Sequence, residues 1–133
     1  MKDYQIINHM ETQIESMINI PYAKENQQFK PTLRQSWCRG TFLPSEPFQI
    51  SIGQDRQMRI IAIYQLDVYN PATSGSTNQI ADNIIDYFND KNNRFIVIDG
   101  ESAVIEYAHR LSSTTETDWY VTPIQIRIVY YRT

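Results

Sequence analysis

The side chains best suited to acid–base or nucleophilic chemistry are two histidines, His9 and His109, and one cysteine, Cys38. Imidazole titrates nearest neutrality and is the usual general base. His9 lies on the border of a helical pattern and His109 near the end of an alternating one. No Asp or Glu stands in a recognisable motif to orient either, and exposed or hydrogen-bonded imidazoles account for both. Cys38 follows Trp37 with no helix N-terminus or histidine motif to lower its pKa, so it reads as a small buried apolar residue. Asp82, Asp86 and Asp90 recur every four residues on a helical segment. A metal site needs histidines or converging partners as well, and a solvated helix face explains the three with less. The stretch GQDR (53–56) is no phosphate loop, and four glycines in all leave no dinucleotide fingerprint. NPATSGS (70–76) precedes a helix and could hold an anion there, but no lysine follows and loop punctuation is the plainer reading. Asp99-Gly100-Glu101 is a turn signal. The residues therefore point to no catalytic, cofactor-binding or metal site.

The elements that carry these residues are clearer. Residues 3–20 form a predicted amphipathic helix, with Tyr4, Ile7, Met10, Ile14, Met17 and Ile18 on its apolar side and Pro21 as its stop. Residues 21–34 are polar, hold two prolines and read as a connector. SWCRGTFL (36–43) is a first strand ended by PSEP, and FQISI (48–52) extends it after a kink. GQDRQ (53–57) is a hairpin loop. In 58–70, Ile60, Ala62, Tyr64, Leu66 and Val68 alternate with Arg59, Ile61, Ile63, Gln65, Asp67 and Tyr69, the strictest strand pattern in the chain. A second helix follows, STNQIADNIIDYFND, with Ser76 and Gln79 as a capping box and Ile80, Ala81, Ile84, Ile85 and Phe88 on its apolar side. Strands are expected at 94–99 and 103–111, then a polar loop SSTTETD. The last strand turns Ile124, Ile126, Ile128 and Tyr130 inward, and Pro123 places its start at an edge or a bulge. The order α-β-β-α-β-β-β makes an α+β fold, a mostly antiparallel sheet of about five strands with two helices. The 133 residues are expected to form one domain, 1–133.

Twelve basic and 15 acidic residues give a formal charge of −3, which disfavours nucleic acid as the main partner. A single cysteine cannot close an intramolecular disulfide. The first residues lack the apolar region of a signal peptide, no window approaches a membrane span, and synthesis in a cytoplasm is expected. The last strand carries Trp119, Val129 and Tyr131 on its off-core side. Apolar edge strands are normally paired or covered. Either the N-terminal helix covers this side, or self-assembly or docking on another protein does.

The order of motifs resembles the tail-terminator and tail-completion proteins of long-tailed bacteriophages, a phage-related domain of unknown function among them. A proline-bearing connector leads to a Trp-x-Arg strand, Trp37 and Arg39. A long strand ends in a Pro/Gly loop and a helix with an Ala-Asp pair and a late Phe: VYNPATSGSTNQIADNIIDYF, with Pro71, Gly75, Ala81, Asp82 and Phe88. Trp119 and Tyr120 open a final strand closing on Tyr130 and Arg132. Where the family's long strand usually carries a glycine, this chain has Ala62, which leaves a bulge at that point open. The resemblance implies a structural virion protein without cofactor or active site, made in the bacterial cytoplasm. Such a protein caps the last ring of the tail tube, typically as a hexameric ring, ends polymerisation and presents a surface for head attachment. Its expected partners are further copies of itself, the tail tube protein and a head-completion or neck protein. DNA would only pass through the channel, and no membrane is involved. The expected contact residues are Gln54, Asp55, Arg56, Gln57 and Arg59 in a protruding loop, with Arg127, Val129 and Tyr131 on the last strand. A head-completion or neck adaptor, a small enzyme and a generic binding module are the alternatives.

Overall fold

The computed structural model describes residues 1–25, 27–32, 35–44, 48–49, 58–72, 79–116 and 118–132. Helix α1 spans Asp3–Met17. The Gln5 side chain accepts the Lys2 N–H at 2.8 Å, the returning half of a capping box. The helix ends earlier than the expected residue 20, because Ile18 is already extended (φ −109°, ψ 151°) on the approach to Pro21. Its apolar stripe is also shifted. Ile6, Met10 and Ile14 are the buried positions, one turn apart, while Tyr4 is 60% exposed. Helix α2, Gln79–Asn89, buries Ala81, Ile84 and Phe88 and leaves Asp82 and Asp86 in water. Its expected capping residue, Ser76, lies outside the described residues.

Eight strands are described: β1 (Tyr22–Ala23), β2 (Trp37–Pro44), β3 (Phe48–Gln49), β4 (Met58–Pro71), β5 (Phe95–Ile98), β6 (Glu101–Arg110), β7 (Thr114–Glu116) and β8 (Trp119–Arg132). They form one sheet in the order β1-β2-β4-β8-β6-β5, with β3 beside β4 and β7 beside β8. The fold is α+β, but the sheet is larger than the expected five strands and it is mixed, since β1 runs parallel to β2. The additional strands are two or three residues long, too short to display a period of two. Their sequences had read as a connector (β1), a kinked extension (β3) and a polar loop (β7).

The larger correction concerns β8. It is no edge strand. It pairs with β4 along its whole length, from Met58↔Arg132 to Pro71↔Trp119, and with β6 and β7 on its other side. Pro123 sits where β6 gives way to β7, and its carbonyl accepts the Leu111 N–H at 2.9 Å. Its nitrogen faces the same gap, so the missing N–H interrupts no ladder bond to β4. The register runs unbroken through Ala62↔Ile128, so β4 has no bulge there; a register shift lies instead in β6, between Ile105 and Tyr107. Arg94 covers it by donating to the Ile105 and Glu106 carbonyls at 3.1 and 2.9 Å. The Asn89 amide then exchanges two 2.9 Å bonds with Ala108, standing in for a neighbouring strand where β5 has ended. A two-residue turn joins β5 to β6, with Asp99 at φ 51° and Gly100 at φ 81°, the pair of positive angles of a type I′ hairpin.

The helices pack on one face of this sheet. Ile6, Met10, Ile14, Ala81, Ile84 and Phe88 join Ile60, Ala62, Tyr64, Leu66, Val68, Ile96, Ile105, Ile124, Ile126, Ile128 and Tyr130 in a continuous core. The inward sets of β4 and β8 are those their alternation predicts.

Candidate functional site

Residues opposite one another in paired strands share a face. The register therefore assembles the helix-free face row by row. One row is wholly apolar across four strands: Ile61, Val129, Val104 and Phe95. The next runs Leu43, Ile63, Arg127 and Tyr107, and the one after it Thr41, Gln65, Gln125 and His109. Phe95 and Val97 are 65% and 66% exposed, and Leu43, Tyr107 and Tyr131 stand out on the same face. Five of the seven large exposed apolar side chains among the described residues thus lie on this face.

The far end of the face is covered. Trp37 stacks on Tyr69 with ring centroids 4.0 Å apart, Trp119 meets Trp37 edge-on, and Phe29 of the connector packs at 4.9 Å on the other side. The N-terminal helix covers the opposite face, so it is not what shelters Trp119, Val129 and Tyr131.

The expected contact residues fall into two groups. Gln54, Asp55, Arg56 and Gln57 lie outside the described residues. Arg59, Arg127, Val129 and Tyr131 come together: Arg59 is opposite Tyr131, and Val129 lies between Arg127 and Tyr131 on one strand face. Val129 is only 7% exposed, because Ile61 and Val104 flank it in a central strand. It is the floor of the surface, not an exposed edge. Arg127 donates from Nε to Glu106 at 2.7 Å, and bonding to Glu106 and Tyr107 raises its pKa. Phe95, Val97, Leu43 and Tyr107 were not among the expected residues. The signal was present for two of them: RFIVID is apolar on both alternating faces, so one face of β5 must meet something other than this core.

The groups with chemical potential stand elsewhere. Cys38 is fully buried, and burial pushes its thiol up to about 12, so it stays protonated at neutral pH. Burial lowers the His9 pKa. Among the described residues no three His, Cys, Asp or Glu side chains group as metal ligands, and no helix is long and apolar enough to cross a membrane.

A family model described as phage tail terminator protein matches residues 5–128. The chain belongs to the phage tail terminator protein family. Membership gives it a structural role in the tail of a phage virion, as the sequence motifs had implied. A search of curated proteins finds no match. Seven chains of solved structures match. One of them is 20% identical, with a TM-score of 0.72 over 98% of this chain and 96% of its own, a likeness that shows a shared fold alone.

Proposed function

We propose that the protein caps the tail tube, ends tail polymerisation and presents a surface to the head-completion or neck protein, acting as a hexameric ring. The observation that supports this most is the helix-free face: a row of Ile61, Val129, Val104 and Phe95 open at one end and ringed by Leu43, Tyr107 and Tyr131. Apolar area of that kind is normally an interface. A tube grows because each new ring displays the interface the last one used. A terminator must match that interface on one side and lack it on the other. The stretch of Gln54, Asp55, Arg56 and Gln57, with Arg59 two residues on, makes the inter-ring or luminal contacts. The net charge of −3 suits a channel that lets DNA pass without holding it.

The test is electron microscopy of phage lacking the gene. Overlong tails are expected. Full heads lying beside tails of normal length would show a joining protein instead. In solution, light scattering coupled to size-exclusion chromatography should find a ring, free or on added tail tubes. Alanine at Asp55, Arg56 and Arg59 together should leave the fold intact and abolish assembly. Fully active particles from that variant would remove the loop from the reading.

A further inference from the structure

The Trp-x-Arg motif of β2 has a feature that tail capping does not explain. Among the described residues three buried side-chain nitrogens lack any hydrogen-bond partner, and two of them are Trp37 Nε1 and Arg39 Nε. Buried donors are nearly always satisfied, yet these two orphans sit at alternate positions of one strand and so on one face. Trp37 is 6% exposed. Arg39 lies with its guanidinium carbon 5.5 Å from the Trp37 ring centroid, and it makes no ion pair or hydrogen bond among the described residues. Its opposite neighbour across the ladder, Asp67, accepts instead from Gln65 at 3.1 Å.

Arg39 lines a groove of about 650 Å³, together with Gln27, Gln28, Phe29 and Lys30. Phe29, which lines it, packs on Trp37, so the indole forms the wall behind two lining residues. Both charged lining residues are cations, in a chain whose net charge is −3. The geometry points to this groove as a binding site for one carboxylate, an aspartate or glutamate side chain presented by a neighbouring protein, held by Arg39 and Trp37 Nε1 with Lys30 at the rim. A planar guanidinium matches a carboxylate bidentately. Charge complementarity limits the ligand to a single negative charge. Asp67 stands close enough to both Glu116 and Arg39 to interact with them electrostatically; burial raises its pKa, and Arg39 offsets part of that rise. A dianion or a run of phosphates would meet those carboxyls as well as the two cations.

The test does not depend on whether the protein ends a tail. In an isotope-labelled full-length chain the indole N–H groups of Trp37 and Trp119 give two separate resonances. The probes are acetate, a capped Gly-Glu-Gly peptide, its Gly-Gln-Gly counterpart, inorganic phosphate and a thymidine oligonucleotide. Acetate and the Glu peptide should move the Trp37 signal saturably and leave Trp119 in place, and the Gln peptide should not. Arg39→Gln should weaken the Glu peptide at least about tenfold. Trp37→Phe keeps the ring stack but removes the donor, and should weaken it several-fold, read at the Arg39 backbone amide. If Arg39→Gln fails to fold, the Trp37→Phe result decides. No saturable shift with either carboxylate, an equal shift with the Gln peptide, or tighter binding of phosphate or the oligonucleotide would overturn the assignment.

Discussion

The two faces of the sheet use similar side chains to different ends. On the helix-covered face, Ile60, Ala62, Leu66, Ile124, Ile126 and Ile128 are sealed by Ile6, Met10, Ile14, Ile84 and Phe88, and the whole set is out of water. On the helix-free face, Ile61, Val104, Val129 and Phe95 form an equally apolar row, but Phe95 remains mostly exposed. The same chemistry stabilises the subunit on one side and is left free to make contacts on the other. Phe88→Ala should cost about 3–5 kcal/mol of unfolding free energy, whereas Phe95→Ala should change it by less than about 0.5 kcal/mol. Urea unfolding of both variants measures this. Equal losses would mean that Phe95 is a core residue and that the free face is not free.

A packing test on the covered side comes next. Gly40 is buried in β2, where a Cβ would run into the hydroxyls of Tyr22 and Tyr64. Those two hydroxyls are hydrogen-bonded to each other. Gly40→Ala should therefore cost about 1–3 kcal/mol by overpacking. Tyr64→Phe removes one obstructing oxygen, so the double variant should recover part of that loss, and a double-mutant cycle by thermal unfolding isolates the coupling. Strictly additive losses would place the strain elsewhere. No residue on the helix-free face is expected to respond in this way.

How far the sequence discloses this asymmetry depends on which interactions are local. The alternation of residues 58–70 names the inward set of β4 because a period of two is a property of one strand. The Ile84 and Phe88 stripe of α2 is legible for the same reason. Period says which residues share a face but not which strand lies alongside. The sequence therefore suggested β8 as an edge, and only the pairing of β8 with β4 on one side and β6 on the other makes it central. Strands β1 and β7 are defined by bonds borrowed from longer neighbours, so their own residues carry no pattern. In α1, Ile7 and Ile6 are both apolar, and the choice of Ile6 for the core is made by the sheet beneath. Arg127, Val129 and Tyr131 were readable as one off-core set, and Arg59 joins them only through the pairing of β4 with β8. Phe95 and Val104, which complete the row, come from strands whose neighbours the sequence does not reveal.

The response to alkali should come mainly from the covered face, although burial raises the Tyr69 pKa on the other one as well. Burial raises the pKa of Tyr22 and Tyr64, and it pushes the Cys38 thiol to about 12. A group whose pKa is raised on folding contributes its full stability below its unfolded value. That contribution declines as pH climbs from there towards the folded value. The unfolded values are 9.0 for the thiol and 10.0 for the phenols, so stability should hold level to about pH 8–9 and then fall. Each group can steepen the slope by up to about 1.4 kcal/mol per pH unit. Denaturant midpoints measured across this range give the slope, and Tyr22→Phe should reduce it. An unchanged slope in that variant would mean that the Tyr22–Tyr64 pair ionises as freely folded as unfolded.

On the helix-free face, Arg127 pairs with Glu106, which reaches it from the register shift in β6, with about a third of each side chain exposed. An exposed pair of this kind is worth about 0–1 kcal/mol, because water screens it and two long side chains must be held still. Arg127→Ala and Glu106→Ala should therefore barely move the unfolding midpoint, alone or together. Yet the pair stands in the row next to Val129 and Ile61, so a contact made through that face has to accommodate or break it. Assembly onto tail tubes, measured by co-sedimentation, should respond to Arg127→Ala far more than stability does. A variant that loses stability by several kcal/mol while assembling normally would reverse the roles given to the two faces.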